Sequence, residues 1–321
     1  MVDLSIIILC YKSKGHLAVL LPSIYKSRGV AFDAPRLSSD AALAKSDAYR
    51  FSAEVIVVDN GSSDGTLEWL EEAGFLGREN QSGVKIIENI NNGFAAGNNL
   101  GIRQSRGRYV LLLNPDTKLE PDTLQIMLDF MESRPDVGMG GCKLIKADGK
   151  LDLACRRRFP NPRNSFKRLF LRDNKDYNYS DIDENISMEV DSIVGAFMVV
   201  RKSVIDRIGL LDESFFMYGE DLDWCWRCKA AGFKVWYYPG TFITHYKGES
   251  SRKAPFKMLK AFHDAMWIFY RKHYAGRYSF VLNWAVWLGI YGRMSVLMLV
   301  NFVKKNPTVS AWLILGYGFR L

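Results

Sequence analysis

Two aspartates stand where apolar runs stop. Asp59 closes Glu54-Val-Ile-Val-Val, and Asp116 follows Tyr109-Val-Leu-Leu-Leu across the step Asn114-Pro115. A carboxylate at a strand end accepts hydrogen bonds from a base N–H or a ribose hydroxyl, which suits Asp59. It is also a hard oxygen ligand for Mg²⁺ or Mn²⁺ bridging a diphosphate, which suits Asp116. Further on, Gly219-Glu220-Asp221-Leu222-Asp223-Trp224 places three acids within four residues. A helix start favours one carboxylate as a cap, and three exceed that need. One of them over a substrate hydroxyl would be a general base, and Asp221 is the choice, with Glu220 and Asp223 shaping the site. Arg227 lies six residues beyond Asp221 and could face a diphosphate. His245, in Thr244-His245-Tyr246, follows the next strand and could return to the same place. His16, His263 and His273 read as structural.

The loop Asn91-Asn92-Gly93-Phe94-Ala95-Ala96-Gly97-Asn98-Asn99 is glycine-rich but lacks both the Walker pattern and G-x-G-x-x-G. That argues against a P-loop ATPase or a dinucleotide-dependent dehydrogenase. It can still present backbone N–H groups to a nucleotide at a helix start. For each glycine the rival reading is close packing of a helix on a sheet. Cys225-x-x-Cys228 has no second pair at ligand spacing and reads as core rather than zinc.

The elements that must position these residues alternate in type through the first half. Leu4-Ser-Ile-Ile-Ile-Leu-Cys10 reads as a buried parallel strand, and residues 54–59, 84–87 and 109–113 read as strands. Residues 15–27, 64–73 and 95–105 read as helices, the second capped by Asp64. This is the pattern of an α/β domain with a mostly parallel sheet flanked by helices, whose ligands sit at the carboxyl ends of the strands. Residues 28–52 read as a surface insertion. In the second half, 137–153 reads as strand and turn, with Asp148-Gly149 as a hairpin signal. Residues 160–184 read as a mobile stretch, 192–201 as a buried strand, 221–231 as a helix and 234–238 as a strand. From residue 255 onward the chain reads as helical.

The chain has 321 residues with 48% apolar and 24% charged content, ordinary for a globular protein with a large core. Five scattered cysteines suit a reducing compartment. No secretory leader is read at the start, where Asp3 precedes a short apolar run. The net charge of +8 is concentrated. Residues 156–175 hold eight Lys/Arg against one acid and residues 247–277 eight against two, leaving the remainder at −5. Two basic patches on an acidic body point to a localised anionic partner. Nucleic acid is disfavoured, because no recognition motif accompanies the charge. The segment 279–303 has one charge, Arg293, and is long enough to span a bilayer. Ser279, Asn283, Arg293 and Asn301 fall on one narrow stripe, which fits lying in a membrane interface. Packing on the catalytic domain or on a second copy of the chain, and spanning, are the rival readings.

Taken in order, the strand Ser5-Ile-Ile-Ile8, Val57-Val58-Asp59-Asn60-Gly61-Ser62-Ser63-Asp64-Gly65, Asn92-Gly93-Phe94-x-x-Gly97-Asn98-Asn99, Leu113-Asn114-Pro115-Asp116, Val194-Gly195-Ala196-Phe197 and Gly219-Glu220-Asp221-x-Asp223-Trp224 resemble the family 2 glycosyltransferases. Within them the set looks most like bacterial rhamnosyltransferases of cell-surface polysaccharide (O-antigen) synthesis. The resemblance covers about residues 4–248. It implies the A-type glycosyltransferase (GT-A) fold, with a donor half over 1–116, an acceptor half over 117–250 and a helical region over 251–321. It implies a divalent metal, Mn or Mg, and inversion at the anomeric carbon. The cosubstrate would be a dTDP- or UDP-sugar, with dTDP-rhamnose the best guess. The donor side would comprise Cys10, Tyr11, Asp59, Asn60, Gly93, Gly97, Asn98, Asn114, Asp116 and Arg227, with metal ligation by Asp116 and His245. Asn114 stands where the family's metal motif usually has Asp. The acceptor would be a saccharide on a polyprenyl diphosphate, reached from the cytoplasm at an anionic membrane surface on the inner face of the cell membrane. A homo-oligomer is a further partner to test. The alternative is a catalytically silent nucleotide-sugar or partner-binding module on the same fold.

Overall fold

The computed structural model describes residues 2–32, 50–75, 84–171, 173, 175–246 and 255–305. Two compact units emerge, one of residues 1–216 with 220–248, the other of 217–219 with 249–321.

The first unit is built on a ten-stranded sheet. Its strands are β1 (Leu4–Cys10), β2 (Val30–Phe32), β3 (Phe51–Asp59), β4 (Val84–Glu88), β5 (Tyr109–Leu113), β6 (Thr117–Leu119), β7 (Val137–Lys146), β8 (Met188–Val190), β9 (Phe197–Arg201) and β10 (Lys234–His245). The spatial path runs β3-β1-β5-β9-β7-β10. β2 and β4 both pair with β3, and β6 and β8 both pair with β10. β1 pairs in parallel with β3 and β5, and the register sets Cys10 opposite Asp59 and Ile7 opposite Leu112. The carboxyl ends of these three strands therefore share one edge. β1, β3 and β5 are buried almost throughout, as expected of continuous Ile/Val/Leu runs covered on both faces.

The second half departs from the parallel pattern. β9 runs antiparallel to both β5 and β7, and β6 and β8 run antiparallel to β10. The sheet is thus mostly parallel, with its antiparallel pairings gathered on β9 and β10. The presumed insertion contributes β2, and residues 33–49 lie outside the described ones. The stretch read as mobile holds two helices, Pro162–Phe170 and Lys175–Asn178. The first carries a capping box in which Asn161 and Asn164 bond each other's backbone, a local signal that the basic composition hid. The basic run is also less of a patch than its composition suggests. Arg156 is buried and donates to the carbonyls of Ile182 and Asp183, and Arg158 is held by Asp176.

The helix Phe94–Arg103 seats on the sheet through glycines. A Cβ at Gly97 would collide with Leu9, and one at Gly101 with Ile7. The helix Glu220–Ala230 carries the acidic cluster and buries Trp224, Cys225 and Cys228.

In the second unit, helices Pro255–His273 and Phe280–Lys305 pack on each other. Their polar groups meet: Tyr270 donates to Asn283 (2.7 Å), Tyr291 to Asp264 (3.2 Å), and Arg293 lies 3.0 Å from His263 Nε2. Two members of the presumed polar stripe, Asn283 and Arg293, thus face the companion helix. Phe280, Val281, Trp284, Val296 and Leu299 are left exposed. The span Phe280–Val303 is long and apolar enough to cross a membrane by length and composition.

Candidate active site

The edge shared by β1 and β3 presents a neutral hydrogen-bonding lattice. Asp59 is 2% exposed, and its carboxylate accepts from the Ser62 N–H (3.0 Å) and from the Cys10 thiol (3.4 Å). Burial first, and the charge of Asp59 second, push the Cys10 thiol far above its ordinary range, so it remains a donor. Asn60 knits the adjoining loop together. It accepts from Asn89 (2.8 Å) and donates to Asn91 (3.2 Å) and to the Gly93 carbonyl (3.4 Å). Tyr11 lies exposed at the same rim, and the Lys12 N–H donates to Ser62 (2.8 Å).

Gly93 has φ 112°, and a Cβ there would come within 2.6 Å of the Phe216 carbonyl. The next residue, Phe94, donates its N–H to that carbonyl at 2.7 Å. Glycine is thus required where the loop meets the 211–216 segment. Asn99 fastens the same segment, exchanging hydrogen bonds with the Leu211 backbone and donating to Glu213. Asn98, 1% exposed, donates within its own helix to the Phe94 carbonyl (2.9 Å).

Asn114 and Asp116 leave the end of β5. The Asn114 N–H donates to Ala196 O (3.0 Å), and its carbonyl accepts from Thr117 (2.7 Å). His245 reaches Asp116 through strand register. β10 was expected to end near Tyr238, at Pro239-Gly240. Instead a bulge between Tyr238 and Phe242 absorbs the breakers, and the strand continues. His245 then pairs with Thr117 of β6, and Tyr246 N–H donates to Asp116 O (2.8 Å). The imidazole Nε2 lies 3.4 Å from Asp116 Oδ1, and Nδ1 lies 3.0 Å from Asp152 Oδ2. Burial opposes charge on this ring, but the hydrogen bonds and charges of Asp116 and Asp152 prevail and raise it to about 9. Burial likewise works to raise Asp116, and the bond and charge of His245 outweigh it and hold the carboxyl lowered.

The donor types gathered here suit a divalent cation. Asp116 supplies a hard oxygen, His245 Nε2 lies beside it and could ligate once a bound ion displaces its proton, and Asp152 fixes the ring from behind as an outer partner. No cluster of three such ligands occurs among the described residues.

The acidic helix start carries its own compensation. Asp221 Oδ2 accepts from Arg157 Nη2 (2.8 Å) and from the Gly195 N–H (3.2 Å), and Oδ1 accepts from the Leu222 N–H (2.7 Å). Asp223 is fully buried against Arg227 Nε (2.8 Å). The remaining Arg227 nitrogens donate to the carbonyls of Ile208 (2.6 Å) and Leu210 (2.8 Å). That guanidinium staples a turn, and no contact supports its facing a diphosphate. Glu220 is buried, and its Oε2 has no partner among the described residues. Burial, then the charge of Asp221, push it up to about 8.

Asp152 and Arg157 escaped the sequence reading. Asp152 follows the hairpin turn at Asp148-Gly149 and caps a short 3₁₀ turn. Arg157 sits inside a three-arginine run, where composition gives no sign of which member turns inward.

The chain matches the family model described as glycosyl transferase family 2 over residues 5–209, and that of glycosyl transferase family group 2 over residues 109–320. It is 25% identical, over 278 residues, to the N-acetylglucosaminyl-diphospho-decaprenol L-rhamnosyltransferase of Mycobacterium tuberculosis, covering 78% of this chain and 85% of that one. Among solved structures it resembles Staphylococcus aureus TarS 1–349 in complex with UDP-GlcNAc, with TM-score 0.54 and 17% identity, over 91% of this chain and 72% of that one. It also resembles GalNAc-T7 with UDP, GalNAc and Mn²⁺, with TM-score 0.53 and 13% identity, over 84% of this chain and 50% of that one. These likenesses establish the GT-A fold.

Proposed function

From the premise that this chain belongs to glycosyl transferase family 2, we propose that it moves a sugar from a nucleotide diphosphate to a saccharide hydroxyl, with inversion. The donor is proposed to be dTDP-rhamnose and the acceptor a saccharide on a polyprenyl diphosphate, in cell-surface polysaccharide synthesis. The relative named as a rhamnosyltransferase supports that choice. The observation that carries the reading is the meeting of Asp116 and His245 at the strand ends, with Asp152 orienting the ring. Asp59, Asn60 and Tyr11 hold the nucleoside at the adjoining rim. Asp116 and His245 would hold Mg²⁺ or Mn²⁺ with the diphosphate, and the ion when bound supplies Lewis-acid neutralisation of the leaving group. Asp221 takes the proton of the acceptor hydroxyl as the new C–O bond forms and the anomeric C–O bond to the diphosphate breaks. The nucleoside diphosphate leaves with the bonding electron pair.

The lipid-linked acceptor places the enzyme at the cytoplasmic face of the membrane. The exposed apolar side of the helix Phe280–Lys305 supports that placement. Turnover of dTDP-rhamnose and UDP-sugars on membrane extract, with and without Mn²⁺, tests the whole reading. Donor binding without transfer to any acceptor would instead identify a silent binding module. Sedimentation of the intact protein with anionic liposomes, weakened but not abolished by salt, tests the membrane part.

A further inference from the structure

Glu220 and Asp221 are adjacent, buried and acidic, yet only one has a cation. Arg157 Nη2 donates to Asp221 Oδ2 at 2.8 Å and to the Ile193 carbonyl at 2.7 Å, which aims the guanidinium. Gly195 N–H and Leu222 N–H complete the Asp221 carboxylate. Among the described residues Glu220 has no ion pair of its own, feeling the charge of Arg157 only at longer range, and its Oε2 has no hydrogen-bond partner. The other charges and titratable groups nearby do not change this. Asp223 is matched by Arg227, Cys225 is a buried thiol from the same helix, and the Tyr177 phenol lies on the side of Arg157. Two adjacent carboxylates in a site of low polarity do not both ionise.

We propose that Arg157 is a positioning residue that assigns the proton within this pair, holding Asp221 as the ionised base and leaving Glu220 protonated as a hydrogen-bond donor for a substrate oxygen. The raised titration of Glu220 agrees with the asymmetry. A buried polar oxygen without a partner is costly, and a bound sugar or acceptor hydroxyl would complete it. The inference rests on the transferase reading for what the base does, but not for where the proton sits.

Infrared spectroscopy of the full chain without substrate reads the proton directly. At neutral pH a protonated carboxyl band is expected that fades as pH rises through about 8 and is absent from Glu220→Gln. In Arg157→Gln a second such band, from Asp221, should appear at neutral pH, and Arg157→Lys should suppress it. In turnover, Arg157→Gln should raise the acid limb of the kcat profile by about one pH unit or more, with Arg157→Lys restoring it. Glu220→Gln, which mimics the protonated form, should retain at least about tenfold more kcat than Glu220→Ala. The proposal is overturned if the wild type shows no band lost in Glu220→Gln, if Gln is as damaging as Ala, or if Arg157→Gln lowers kcat without moving the acid limb. The wild-type spectrum and Arg157→Lys keep the test decisive should Arg157→Gln fail to fold. If the wild type turns over no nucleotide sugar, the transferase reading fails, and the infrared bands still decide the proton.

Discussion

The two halves of the candidate site, the β3 end with Asp59 and the carboxylates around His245 and the acidic helix start, are compensated in opposite ways. In the first half, Asp59 is surrounded by neutral donors, the Ser62 N–H and the Cys10 thiol. In the second half the carboxylates meet cations: Asp221 meets Arg157, Asp223 meets Arg227, and Asp116 with Asp152 brackets His245. Neutral donors satisfy the Asp59 carboxylate without an ion pair. Buried cations cancel charge but make each carboxylate depend on a partner, 64 residues away for Asp221 and 93 for Asp152. Asp59 also relies on the fold, since Cys10 lies 49 residues away, so the difference between the halves is the charge of the partner and not its distance.

The largest effect is expected at the cation-dependent edge. Asp116→Asn should cut transfer by about three orders of magnitude while thermal unfolding stays near the wild type, and a chelator should reproduce the loss in the parent. Undiminished activity with EDTA would take the metal out of the account. Next, Asp221→Asn should lower kcat by roughly 10²- to 10⁴-fold with nearly constant donor affinity by calorimetry. A matching loss of affinity would move Asp221 to the donor side.

Stability separates the halves further. Arg227→Met strands the fully buried Asp223 and should cost on the order of 3 kcal/mol in urea unfolding, with donor affinity unchanged. Asp59→Asn, which disturbs only neutral bonds, should cost about 1 kcal/mol and chiefly weaken nucleotide binding. Equal costs would erase the contrast drawn above.

The smallest effect is a pH slope. Glu220 is raised from 4.5 to about 8, and His245 from 6.5 to about 9. In both cases the folded state binds the proton more tightly. The stabilisation is fully present below the unfolded values and is lost as pH rises through the folded ones. Stability should therefore fall between about pH 4.5 and 9, and Glu220→Gln should flatten the part below about 8. An unchanged slope in that variant would place the titration elsewhere.

What the sequence made legible follows the same division. Buried parallel strands are continuous apolar runs, so β1, β3 and β5 and the strand-end position of Asp59 are read from composition. The second half resisted because its order is set by pairing. Pro239-Gly240 reads as a stop, and only the bulge, held between β7 and β6, lets β10 deliver His245. Residues 192–196 read as strand, but Gly195 turns its N–H onto Asp221 and the strand begins at Phe197. Arg157 read as surface charge because spacing records neither burial nor a partner 64 residues on.

The hairpin of the second unit bears on where the gene should be cut. Asn283, Tyr291 and Arg293 of the last described helix are matched by Tyr270, Asp264 and His263 of the one before it. A stop codon near residue 276 would remove the apolar helix and orphan that row of polar groups, trading one insoluble surface for another. Ending the reading frame after Tyr246 discards both halves of the row together, and that shorter open reading frame is the better starting point for crystallising the catalytic unit.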